Sequence, residues 1–85
     1  MSTFHLIISS PDGHLFSGEA AKITLRGVEG DLAVMAGHIP FVTSVKACDC
    51  HIHLSDGTVR TGHTDGGLLT VSDENVTLLS GSFRW

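Results

Sequence analysis

The sequence has no tyrosine, one tryptophan, two prolines, two cysteines and only five lysines and arginines among 85 residues. The scarcity of basic residues, with a net charge of −4, argues against nucleic acid or an anionic membrane surface as the main partner, since both recruit basic patches. No apolar run approaches the roughly 20 residues that a spanning helix needs. The opening decapeptide MSTFHLIISS lacks a basic n-region and a long apolar stretch, so no secretory signal is expected and the chain reads as facing the cytoplasm. Without such a signal the Asn75-Val76-Thr77 sequon carries no meaning. Cys48 and Cys50 would point the same way on a strand, where bridging them would distort the backbone; they are read as reduced. P-loop, GxGxxG, GxSxG and HExxH signatures are all missing, so nothing argues for catalysis by this chain alone.

What is present is a folded composition. Hydrophobic residues make up 41% and charged residues 16%, as in an ordinary soluble domain. Residues 1–85 form one domain with a small core. Ten glycines punctuate the chain, and its longest stretch free of glycine and proline, residues 41–56, alternates. Cys48, Cys50, Ile52 and Leu54 are apolar; Asp49, His51, His53 and Ser55 are polar. Period two marks a half-buried strand. Phe4, Leu6 and Ile8 alternate likewise before the turn sequence Ser10-Pro11-Asp12-Gly13, and Ser55-Asp56-Gly57 signals a hairpin. Strands are expected at residues 14–19, 21–26, 32–35, 41–45, 48–54, 58–62, 68–71 and 76–79, with a turn near Lys46-Ala47. Such short strands at roughly 8–10-residue spacing indicate an all-β sandwich or flattened barrel. Trp85 is placed to cap an open end or to fray.

Residues 25–40, LRGVEGDLAVMAGHIP, set a short apolar strand between two glycine-bearing loops. Glu29 and Asp31 suit a partner bearing Arg or Lys better than acid/base chemistry, since no pocket is evident. His38 could act as a base at neutral pH, but no nucleophile accompanies it, and a contact role is the better reading. The CDCHIH segment suggests a metal centre, yet alternation puts its cysteines and histidines on opposite faces. Asp12/His14 and His63/Asp65 flank turns, where Asp is common for backbone reasons.

The glycine spacing followed by Gly-His-x-Pro resembles the epsilon subunit of rotary F-type ATP synthases, whose pattern there reads approximately LPGxEGxxGVLPGHxP. Leu25, Gly27, Glu29, Gly30, Val34, Gly37, His38 and Pro40 match it. Arg26, Ala33 and Ala36 depart, where the family often has proline, glycine and proline. Phe4-His5-Leu6, Phe16-Ser17-Gly18, Asp56-Gly57, Gly66-Gly67-Leu68-Leu69 with Val71, and Val76-Thr77-Leu78-Leu79 extend the likeness over nearly the whole chain. The resemblance implies a sandwich of about ten strands and a non-catalytic central-stalk subunit, a monomer within its complex. It implies docking on the gamma subunit through Ser10, His38, Pro40 and Thr43, and on the membrane rotor ring (the c-ring) through Glu29, Gly30 and Asp31. Ion flow, of protons or sodium, would thereby be coupled to ATP synthesis at the cytoplasmic face of a bacterial membrane. Family members commonly carry a C-terminal helical hairpin. With the chain stopping at Trp85, no hairpin, hairpin-based inhibition, ATP site or other cofactor is expected. Two other classes compete: a biotinyl- or lipoyl-type carrier using Lys46, and a small metal-binding domain using His51, His53 and His63.

Overall fold

The computed structural model describes residues 2–37, 39–73 and 75–85. His38, expected to contact a partner, lies outside them. The described residues form seven strands: β1 (Phe4–Ser10), β2 (Gly13–Gly27), β3 (Gly30–Met35), β4 (Phe41–Leu54), β5 (Val59–Val71), β6 (Asn75–Ser80) and β7 (Phe83–Arg84). The sheet runs β1-β6-β5-β4-β2-β3 and closes because β1 also pairs with β2. Five strands therefore make a flattened barrel, with β3 added outside β2 and β7 outside β5.

The all-β expectation holds, but the strand count is seven rather than ten. The reason is continuity. β2, β4 and β5 run 15, 14 and 13 residues, through points where breaks are expected from the sequence. The first half of β2 pairs with β1 and its second half with β3 and β4, the register shifting around Ala20 and Lys22. No turn forms at Lys46-Ala47; Lys46 pairs with Gly66 and the ladder continues to Cys48 with Thr64. Gly66 takes a positive φ of 117° and absorbs the bend without ending either strand.

Alternation builds the core. Leu6, Ile8, Ile23, Val34, Ile52, Leu69 and Leu78 are completely buried, one from each turn of the pleat. Cys50 is buried among them and Cys48 is half-buried, both as free thiols. Among the described residues, Thr64 and Ser80 are the buried polar ones. Their hydroxyls lie 2.6 Å apart, and the Ser80 hydroxyl also donates to the Ser82 carbonyl at 2.7 Å. Both buried groups are thereby satisfied, as an interior requires.

Phe83 closes one end. Its ring occupies the space a side chain on Gly62 would fill, and Trp85 packs edge-on against it at 5.1 Å and against Phe16 at 6.1 Å. The Arg60 guanidinium sits 3.8 Å from the centre of the Trp85 ring, a cation–π arrangement. Trp85 is thus held as a cap.

At Gly67 β5 and β6 approach so closely that an added methyl would collide with the Leu79 carbonyl. Gly67→Ala is expected to force the two strands apart, costing about 1–3 kcal/mol, read as a lower urea midpoint. In the β4–β5 hairpin the Asp56 carboxylate accepts from the Thr58 hydroxyl at 2.6 Å and the Thr58 amide at 2.9 Å. These bonds hold its pKa below the ordinary carboxylate value, the hydroxyl contributing most. A lowered folded-state pKa means stability present above the unfolded value near 3.9 and lost as pH falls through the folded one. Thr58→Val should move the Asp56 titration upward, toward the ordinary range, in an NMR pH series.

Candidate docking surfaces

The Glu29-Gly30-Asp31 segment is exposed on the turn joining β2 to β3. Gly27 pairs with Gly30, leaving Val28 and Glu29 as a two-residue turn whose closing Gly30 has φ of 129°. The Val28 amide donates to the Ser44 carbonyl at 3.2 Å, tying the tip to β4. Arg26 and Asp31 are cross-strand partners, and the Arg26 Nε donates to Asp31 Oδ1 at 2.9 Å. Asp31 raises the Arg26 pKa further above its ordinary value by that hydrogen bond and by its charge. Both side chains are largely exposed, so the pair adds little stability. Its effect is to hold Asp31 beside a cation and leave Glu29 as the open charge of the turn.

Ser10, Pro40 and Thr43 are not brought into contact with one another. Ser10 ends β1, half-buried, its hydroxyl accepting from the Asp12 amide at 3.2 Å. Pro40 is exposed just before β4. Thr43 lies on β4 in the row Ile8–Leu78–Leu69–Thr43, half-buried on the inward side.

The outer side of this same sheet is a surface the sequence reading missed. Directly paired residues share a face, and the paired rows Ser9–Leu79–Leu68–Ser44 and Ile7–Thr77–Thr70–Val42 contain no charged residue. Val42, Leu79 and Leu68 are 61%, 50% and 39% exposed there. The signal was available: Ile7-Ile8, Phe41-Val42, Leu68-Leu69 and Leu78-Leu79 are adjacent apolar pairs within strands, and a strand turns one member of each outward.

The opposite outer face, on β2, β4 and β5, carries Lys22, Arg26, Asp49, His51, His53 and His63. His63 Nδ1 lies 3.0 Å from Asp49 Oδ1, and His51 Nδ1 lies 3.1 Å from Thr61 Oγ1. His63 therefore pairs with Asp49 across the strands, and not with the nearer-in-sequence Asp65, which accepts from the Ser82 amide. An open groove of about 620 Å³ runs beside this face, lined by Arg26, Asp31, Ala33, Cys48 and His51 among others. On β1 and β2, His5 lies 3.3 Å from both the Glu19 carboxylate and the Ser17 hydroxyl. These are cross-strand neighbours on a sheet face, and simple pleating accounts for their alignment. Lys46 sits within β4, paired with Gly66, not at a hairpin tip where a carrier lysine has to swing.

The family model for "ATP synthase, Delta/Epsilon chain, beta-sandwich domain" matches residues 3–85. The chain belongs to this family. The sodium-ion-specific ATP synthase epsilon chain of Acetobacterium woodii is 31% identical over 98% of this chain and 62% of its own length. The epsilon chains of Delftia acidovorans and Nitrobacter winogradskyi are 35% and 38% identical, each over 94% of this chain and 58% of their length. The chain thus spans about three-fifths of the relatives it matches. A chain in the Euglena gracilis mitochondrial ATP synthase OSCP/F1/c-ring structure superposes with a TM-score of 0.91 at 22% identity, covering 98% of this chain and 53% of that one. One in the Tetrahymena thermophila mitochondrial ATP synthase central stalk/c-ring structure gives 0.82 at 11% identity, over 96% and 66%. At these identities the likeness is of fold. The delta/epsilon sandwich assignment displaces the carrier and metal-domain alternatives as accounts of the whole chain.

Burial, aided by the neighbouring Cys48, pushes the Cys50 thiol up to about 12, which leaves almost no thiolate at neutral pH. Alkylation of the native chain is therefore expected at Cys48 alone, with Cys50 reacting only after unfolding, as peptide mass mapping would show.

Proposed function

We propose that this chain is the sandwich portion of a non-catalytic central-stalk subunit of a bacterial F-type ATP synthase. In this reading it docks on the gamma subunit and rests on the rotor ring, coupling ion flow to ATP synthesis. It sits at the cytoplasmic face of the membrane only through the complex, one copy per stalk. The observation that carries the reading, beyond family membership, is the uncharged outer sheet face around Val42, Leu68 and Leu79, which suits a stable protein interface. Ser10, Pro40 and Thr43 would add to that contact, and His38 is kept with them on the family resemblance alone. The Glu29-Gly30-Asp31 turn would meet the rotor ring, with Glu29 offered to a basic loop.

A pull-down with purified gamma subunit tests the first contact. Wild-type chain should be retained, and Val42→Glu with Leu79→Glu should weaken retention at least tenfold, about 1.4 kcal/mol, by burying unpaired charge. No retention of the wild type, or equal retention of the variant, refutes it. For the second contact, Glu29→Lys should slow association with rotor ring in detergent, most clearly at low salt.

A further inference from the structure

The histidines of the CDCHIH segment have no place in the reading above. Alternation along β4 sends Cys48 and Cys50 inward and His51 and His53 outward. The segment is therefore not one cysteine–histidine cluster. It leaves two imidazoles on one outer face, two residues apart, their Cα atoms about 6.6 Å apart by strand rise. An ion shared by two such imidazoles would stand about 2.0–2.1 Å from each nitrogen.

Across the strands His51 faces Thr24 of β2 and Thr61 of β5, and His53 faces Lys22 and Val59. His63 is one diagonal step from His51, opposite Asp49 and Arg84. His51 Nδ1 is engaged by Thr61, and His63 Nδ1 by the Asp49 carboxylate. A ring held at Nδ1 by a hydroxyl or carboxylate leaves Nε2 free, the kind of support that orients metal-ligating histidines. Among the described residues no three ligand groups converge as they stand. Any chelate is thus made by two imidazoles, with solvent completing the coordination.

We propose that His51 and His53 form a surface chelate for a divalent cation of the nickel–copper–zinc class, with His63 as an adjacent auxiliary imidazole. Imidazole donors select these ions over magnesium or calcium. The half-exposed setting keeps ligand exchange open.

Titration calorimetry of the whole chain with nickel, zinc and copper salts at pH 7.5 tests this. One site is expected, tightest for copper in accord with the usual stability order. His51→Gln or His53→Gln should weaken it beyond the roughly 10–100-fold that loss of an outer-shell partner costs. His14→Gln, on β2 away from this face, should leave it unchanged. Circular dichroism should show each variant folded. Absence of binding to the wild type, or binding that survives the double variant His51→Gln/His53→Gln, overturns the proposal.

Discussion

Closure of the barrel is the constraint on which everything else depends. β1 pairs on one side with β2 and on the other with β6, so the five central strands share one interior. Without that double pairing the sheet would expose Leu6, Ile8 and Leu78, which are now buried, and a chain of this size has little core to spare. The loops keep their shape because their ends are fixed by strands that cannot slide. A one-residue slip would turn every buried side chain outward.

Much of this was legible beforehand. Period-two patterns in residues 4–8 and 48–54 place the strands and their faces, and the glycine-bearing turns at Gly13, Gly30 and Gly57 fall where turn chemistry puts them, each with positive φ. Strand continuity was not legible. Lys46-Ala47 looks like a break when read alone, because the bend is relieved by Gly66 on the neighbouring strand, 20 positions away. The parallel pairing of β1 with β6 is equally invisible in local patterns, since alternation says which way a side chain points and not which strand lies beside it. Of the expected contact residues, the acidic turn stands exposed as the sequence suggested. Ser10 ends β1, Pro40 precedes β4 and Thr43 lies within it.

The two outer faces differ in kind. One is neutral and rich in exposed aliphatic side chains; the other carries paired charges and imidazoles. The same strands supply both, because long strands pass from one half of the sandwich to the other. Arg26, where the family often has proline, belongs to the charged side and partly neutralises the acidic turn.

The β4–β5 ribbon has a mechanical corollary. Its twelve paired positions lie along one line that spans both halves of the sandwich. A twisting load entering at one face and leaving at the other would pull these strands lengthwise past each other. Many hydrogen bonds then have to yield together instead of peeling singly from an end, so the ribbon joining the two surfaces resists such a load along its whole length.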